Sequence, residues 1–158
     1  QNIVVDSFTS TASTATSVVR VADATGDLFR VTHAFAPSAS GSLYRVDVTI
    51  ENISGAATTV LYRRAMDWDV YPEPFNELTT VQAGTSPNIT FTSDDGFANG
   101  NPLSGPSSIL FTGNAVDSGP EDHGALFDFN FGSASPHHQD ILVDIFALAA
   151  KTASCSNT

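Results

Sequence analysis

The sequence predicts an all-β fold, an antiparallel β-sandwich of jelly-roll or Ig-like type with about nine or ten short strands. Three observations lead to this prediction. Apolar and polar residues alternate with a period of two along most of the chain, and convincing helical stripes are absent. Clusters of turn-forming residues separate these runs. The length of 158 residues fits one domain whose core needs no disulfide.

The individual strands follow from this alternation. The clearest run is residues 42–53, in which aromatic and aliphatic side chains occupy every second position. Residues 60–68 repeat the pattern. In residues 140–148 a helical spacing competes with the strand pattern, and we favour a strand there. The remaining predicted strands are residues 2–8, 17–22, 28–35, 78–82, 88–92, 108–112 and 125–131.

The chain divides into residues 1–17, an N-terminal strand with a Ser/Thr/Ala-rich arm, and residues 18–158, a single β-sandwich domain. Residues 9–17 are nearly all Ser, Thr and Ala, a composition typical of linkers. A short apolar strand on a flexible arm is what a strand donated to the open sheet edge of a neighbouring subunit requires. Pairing of residues 2–8 within their own sheet is the alternative.

Acidic residues dominate the charge, with 17 Asp and Glu against 6 Lys and Arg and a net charge of -11. Nucleic acids and anionic membrane surfaces attract cationic patches, so both are excluded as partners. The longest apolar run is too short to insert into a membrane. One lysine against 18 Ser and 17 Thr, together with a start at Gln1 as in a processed mature chain, predicts a secreted protein, extracellular or at the cell surface.

The densest group of reactive side chains is Tyr-Arg-Arg-Ala-Met-Asp-Trp-Asp-Val at residues 62–70. On a strand, Asp67 and Asp69 project to the same side, about 7 Å apart. One interpretation is that these carboxylates bind calcium. The others are a buried Trp68 beside an acidic pair that an arginine neutralises, and a catalytic pair of carboxylates.

Two further acidic segments strengthen the calcium interpretation. One is Asp94-Asp95 directly before Gly96, and the other is residues 117–124, where acidic residues are interspersed with Gly and Pro. Calcium accepts irregular loops of oxygen ligands, although turn preference alone also explains Asp beside Gly, and neither segment has EF-hand spacing. The predicted calcium ligands are Asp67, Asp69, Asp94, Asp95, Asp117, Glu121 and Asp122.

Signatures of catalysis are absent from the sequence. There is no Gly-x-Ser-x-Gly elbow, no His-Glu-x-x-His motif and no Gly-rich phosphate loop. We therefore predict no catalytic residues, no cofactor other than calcium, and no enzymatic activity. Cys155 is alone and forms no internal disulfide, while Asn52 and Asn88 begin sequons for N-glycosylation.

Four strings of this sequence, at residues 43–52, 62–69, 94–98 and 117–129, carry a family resemblance. The most specific of them is Tyr-Arg-Arg-x-Met-Asp-Trp-Asp. The chain resembles the ectodomain of secreted bacterial surface proteins, many of which carry a C-terminal PEP-CTERM sorting tail. The resemblance covers about residues 28–132 and implies export and a surface or matrix role, without assigning catalytic residues. After Lys151 the sequence departs from that group, because no Pro-Glu-Pro motif, apolar span or basic tail follows.

These observations predict a secreted structural protein of the cell surface or extracellular matrix. It assembles with copies of itself into a filament or sheath, joined by N-terminal strand donation and stabilised by calcium. The alternative is a calcium-dependent module that binds extracellular polysaccharide, with Trp68, Tyr71 and Phe75 stacking on sugar rings. An exposed Trp68 favours the alternative, and a Trp68 in the core counts against it.

Overall fold

The computed structural model describes residues 2–39, 44–69 and 74–146, the last eight by their backbone alone. Within these ranges the chain forms ten strands, one short 3-10 helix at Pro102–Ser104 and no α-helix. The strands are β1 (Asn2–Ser10), β2 (Ala15–Asp23), β3 (Gly26–Pro37), β4 (Tyr44–Asn52), β5 (Thr58–Asp67), β6 (Glu77–Val81), β7 (Ile89–Ser93), β8 (Ala115–Glu121), β9 (Gly124–Ala134) and β10 (Gln139–Phe146). None of the described residues lies in a helix of a length and apolarity that would cross a bilayer.

The strands form three sheets, with the orders β1-β2-β3-β4-β10, β5-β9-β7 and β6-β8. The strand pairs whose register is described are antiparallel. This confirms the predicted all-β class with antiparallel sheets, and the strand number is consistent with a β-sandwich-like fold. The described chain divides into two compact units, residues 2–59 with 133–146 and residues 60–132.

The first unit contains the five-stranded sheet. In β4 every second side chain is buried, with Val46 2%, Val48 0% and Ile50 3% exposed, as the period-two alternation predicts. Asn52 at the end of β4 is completely buried, and its Nδ2 donates to the carbonyl oxygens of Ala56 (2.9 Å) and Ala134 (2.8 Å). Its amide is therefore a structural hydrogen-bond donor, and the fold leaves it inaccessible to a glycosylating enzyme.

The N-terminal segment forms a hairpin. β1 pairs antiparallel with β2, from Asn2 opposite Ala22 to Ser10 opposite Ala15, so it pairs within its own chain. The prediction of a flexible linker at residues 9–17 is wrong, because these residues supply the ends of both strands and the turn between them. Thr11 explains this, since its Oγ1 accepts hydrogen bonds from the N–H groups of Ser13 (3.3 Å) and Thr14 (3.1 Å) and closes the turn.

The second unit contains the two smaller sheets, with Val60, Val81, Leu126 and Phe129 in its core. Two predictions differ from the structure here. Residues 108–112 form no strand and contribute one isolated bridge, between Thr112 and Ser93. The acidic loop predicted at residues 117–124 lies largely in β8 (Ala115–Glu121), although Gly119 and Pro120 are turn-forming residues. Among the described strands β8 pairs with β6 alone, and this pairing has two register shifts, so the sheet tolerates Gly119 and Pro120.

Candidate functional site

The three acid-bearing segments converge in the second unit, at the two glycines Gly96 and Gly124. A methyl group on Gly124 would lie 2.2 Å from the Cα atom of Gly96 and 2.5 Å from the carbonyl oxygen of Met66. The N–H groups of both glycines donate to the carbonyl oxygen of Asp94, at 3.0 and 2.9 Å. The end of β5, residues 94–96 and the start of β9 therefore touch backbone to backbone, which only glycine permits.

An acidic cluster lies beside this crossing and consists of Asp67, Asp69, Glu77 and Asp122. Burial raises the pKa of Asp67, and the negative charges of Asp69, Asp122 and Glu77 raise it further, against a hydrogen bond from the N–H of Trp68. The Oδ1 atom of Asp122 is buried and accepts no hydrogen bond from the described residues. Asp67 and Asp69 are exposed, so the cluster lies at the surface of this unit.

Asp94, one of the predicted ligands, lies among hydrogen-bond donors. It is completely buried, and its carboxylate accepts hydrogen bonds from the N–H groups of Ile109, Leu110 and Phe111 at 3.0–3.3 Å. The Nδ1 atom of His123 lies 3.2 Å from Oδ2. N–H donors therefore surround the oxygens that a cation would need, and Asp94 is better described as the anchor of the 109–111 segment.

The buried carboxylate of Asp94 should make the stability of the protein depend on pH. Burial raises the pKa of Asp94, but hydrogen bonds from Leu110, Phe111 and His123 outweigh burial and hold the pKa below 3.8. A depressed pKa contributes stability that is present above the unfolded-state pKa and is lost as the pH falls through the folded-state pKa. We expect Asp94→Asn to lower the free energy of unfolding by about 1–3 kcal/mol at pH 7.

The check is urea unfolding of both proteins at several pH values. The difference between wild type and Asp94→Asn should shrink as the pH falls below 3.8, the ordinary value for Asp. A difference that stays constant down to pH 2 would show that the charge of Asp94 is not what stabilises the segment.

Asp95 also has partners that orient it toward the loop after it. Its Oδ1 accepts from the N–H of Phe97 (3.0 Å), and its Oδ2 accepts from the hydroxyl of Ser107. The hydroxyl of Ser93 donates to the carbonyl oxygen of Ser107 at 2.6 Å. Asp95 therefore fixes the loop at residues 97–107 rather than joining the acidic cluster.

A buried ion pair, which the sequence interpretation missed, fixes the same loop. Arg63 on β5 makes a bidentate contact with Asp128 on β9, at 2.6 and 2.8 Å. Its other N–H groups donate to the carbonyl oxygens of Asn99 (2.8 Å) and Gly105 (2.5 Å). Of the two arginines that could neutralise Asp67 and Asp69, Arg63 pairs with Asp128 instead.

The remaining predicted ligands lie on β8. Asp117 is exposed, has a φ of 47°, and donates its main-chain N–H to the hydroxyl of Thr80 at 3.1 Å. Glu121 is exposed and lies opposite Glu77 across the β6–β8 pair. In residues 2–39, 44–69 and 74–138, no three His, Cys, Asp or Glu side chains are arranged as a ready-made metal site.

The aromatic residues of the glycan hypothesis are only partly described. Trp68 is half-buried, between the two outcomes stated above, and its indole Nε1 is buried without a hydrogen-bond partner in the described chain. Phe75 is 58% exposed. Tyr71 lies outside the described residues.

Glu77 and His123 belong to the site although neither is among the predicted calcium ligands. Glu77 accepts hydrogen bonds from the N–H groups of Phe75 (2.9 Å) and His123 (3.3 Å). The only available signal was the acidic neighbourhood of His123, since the contact with Glu77 spans 46 residues. Comparison with protein-family models, curated proteins and solved structures yields no match to this chain.

Proposed function

We propose that the protein is a secreted structural subunit of the cell surface or extracellular matrix that assembles with copies of itself through β1. The observation that carries this proposal is the exposure of an apolar edge strand. β1 is at the edge of the five-stranded sheet, and all nine of its residues are exposed. Ile3 is 71%, Val5 68% and Phe8 64% exposed. Apolar side chains on an open edge favour pairing with another chain.

β1 also lacks most of the features by which edge strands avoid pairing. Natural edges carry lysine, proline or inward-pointing charges, or are very short. β1 has nine residues and neither Lys nor Pro, and its single charged residue is Asp6, at a register shift. Arg20 of β2 binds Asp6 at 2.7 Å, so this charge is already partnered within the hairpin. The strand is therefore open to association.

Lysine on the edge should disrupt assembly. We expect Ile3→Lys/Val5→Lys to weaken self-association at least tenfold, because two ammonium groups on an edge repel a second copy and require desolvation on pairing. The measurement is sedimentation velocity over a concentration series, which separates monomer from dimer. Leu103→Lys/Val116→Lys is the matched control, because Leu103 is 68% and Val116 69% exposed away from β1.

Equal weakening in both double variants would attribute the effect to added charge rather than to the edge. A wild-type protein that stays monomeric over the whole concentration range would contradict the proposed function.

Calcium is proposed to stabilise the subunit at the acidic cluster, through Asp67, Asp69 and Asp122 with Glu77 nearby. The support is the raised pKa of Asp67 and the buried Oδ1 of Asp122. A divalent cation would relieve the repulsion between these carboxylates and supply the missing partner. Carboxylate oxygens are the ligands that calcium prefers.

Calcium should therefore raise the free energy of unfolding of protein first treated with a chelator. At a free calcium concentration of 100 times Kd, we expect a gain of about 2.7 kcal/mol. Asp67→Asn/Asp122→Asn should lose this gain. Asp117→Asn is the control that should keep it, because Asn tolerates the positive φ of Asp117. Unfolding curves that calcium leaves unchanged in the wild type would remove calcium from the proposal.

The second candidate function is calcium-dependent binding of extracellular polysaccharide. The exposed ring of Phe75 favours it, because an exposed aromatic ring two residues from Glu77 offers a stacking surface near the acidic cluster. Titration calorimetry with glycans, in calcium and in chelator, distinguishes the two functions. Heat of binding that requires calcium and is lost in Phe75→Ala would favour the module over the structural subunit.

A further inference from the structure

The five-stranded sheet carries an apolar row that ends at β1, the edge strand among the described residues. In order across the strands, the row is Ile50, Val31, Val19 and Val5, each directly opposite the next. The exposed fraction is 3% at Ile50, 7% at Val31 and 68% at Val5, with Val19 half-buried. The next row runs through Phe29 and Val21 to Ile3 and is likewise exposed at β1. Another apolar strand beside β1 would continue both rows.

The positions between these rows carry ion pairs. Arg20, opposite Val4, contacts Asp6 and Asp27, at 2.7 and 2.6 Å, and Arg30 contacts Glu51 at 2.8 Å. Successive residues of a strand project to opposite faces, so the apolar rows and the ion pairs lie on different faces of the sheet. A strand that continues this sheet must therefore place apolar residues opposite Ile3 and Val5.

We infer that β1 binds β1 of a second copy, antiparallel and centred on Val4. This register places Ile3 opposite Val5 of the partner subunit and Val4 opposite Val4 of the partner subunit. Both apolar rows then continue from one copy into the other. Two-fold symmetry forms the contact between Ile3 and Val5 of the partner subunit twice. The β1 strand of a second copy thus presents apolar residues at the positions where this edge requires them.

Charge disfavours several of the alternative registers. Each copy carries a net charge of -11, so a contact between copies must keep acids apart. Centring on Val4 places Asp6 opposite Asn2 of the partner subunit, whereas centring on Asp6, or an in-register parallel pairing, brings the two Asp6 carboxylates together. Centring on Val5 places Asp6 opposite an apolar valine.

This inference rests on the proposed self-association through β1 and specifies its geometry. It also replaces donation of the N-terminal strand by addition of one intact sheet edge to another, because β1 keeps its pairing with β2. The contact is a short strand pair, smaller than the roughly 1,200 Å² or more of a stable interface, so we expect weak, concentration-dependent dimers.

Cysteine cross-linking in the full chain tests the register. In a Cys155→Ser background, Val4→Cys places two thiols on the two-fold axis, where the Cα atoms of paired residues are about 4.5–5.5 Å apart. This is within the range of a disulfide, about 4.4–6.8 Å. Under mild oxidation we expect at least fivefold more covalent dimer than with Val116→Cys, an exposed control on β8.

A second pair of variants distinguishes this register from its neighbours. Ile3→Cys should cross-link poorly with itself, since its two copies are diagonal neighbours about 7–8 Å apart. A mixture of Ile3→Cys and Val5→Cys chains should instead give a mixed disulfide dimer. Suppose that Val4→Cys gives no more covalent dimer than the Val116→Cys control, while Ile3→Lys/Val5→Lys still disrupts association. That result would overturn the register and leave the proposed function standing. A wild-type chain that never associates would overturn both.

Discussion

Gly124→Ala is expected to lower the free energy of unfolding by about 3 kcal/mol or more. The added methyl group would lie 2.2 Å from the Cα atom and 2.5 Å from the nitrogen of Gly96, and 2.5 Å from the carbonyl oxygen of Met66. All three are backbone atoms, so no side-chain rotation relieves the contact. The segments must move apart, which also weakens the hydrogen bond from Gly124 to Asp94.

Urea unfolding followed by the fluorescence of Trp68 measures this effect. Gly100→Ala is the matched control, because a methyl group there meets nothing within 4 Å and the residue has no positive φ. It should change the stability by less than about 0.5 kcal/mol. If the two variants were equally stable, the close crossing of the three segments would be wrong. Because the crossing positions Asp67 and Asp122, Gly124→Ala should also reduce the proposed stabilisation by calcium.

Arg63→Met is expected to destabilise the protein by about 3–5 kcal/mol. The substitution leaves the carboxylate of Asp128, only 8% exposed, without its ion-pair partner. It also removes the donors to the carbonyl oxygens of Asn99 and Gly105. The loss is therefore that of an uncompensated buried charge together with the anchor of the 99–105 loop.

The control for this prediction is Arg30→Met. Arg30 is 46% exposed and pairs with Glu51, so we expect a loss of at most about 1 kcal/mol. The double variant Arg63→Met/Asp128→Leu should recover part of the loss, because it removes the orphaned charge as well. Similar unfolding free energies for Arg63→Met and Arg30→Met would contradict a stabilising role for the buried pair. Increased proteolysis within residues 99–105 would report the release of the loop.

The local sequence pattern was sufficient to predict the positions of most strands. Alternation placed β4 and β5 within two residues of their ends, and it favoured a strand at 140–148, where helical spacing competed and β10 is found. It failed at β8, because Gly119 and Pro120 indicate a turn unless the pairing with β6 is known. It also failed at residues 9–17, where composition indicated a linker although Thr11 closes a hairpin turn.

The predicted calcium ligands also show that local sequence pattern cannot identify contacts between segments remote in the chain. Acids beside glycines do mark segments that converge, but the sequence treated all seven carboxylates alike. In the structure the carboxylates of Asp94 and Asp95 accept hydrogen bonds from loop residues, whereas Asp67, Asp69 and Asp122 lie in the acidic cluster. Which carboxylate meets N–H donors and which meets other carboxylates depends on residues remote in the chain.

The sequence by itself determined the all-β class, most strand positions, the acidic character and the segments that carry the candidate ligands. These properties depend on the period-two alternation and on turn-forming residues, which act over a few neighbouring positions. Only the tertiary structure decided that Arg63 pairs with Asp128, 65 residues away, and that β1 is left exposed at a sheet edge. Strand order determines both, and it follows from the packing of the whole chain rather than from any local run of residues.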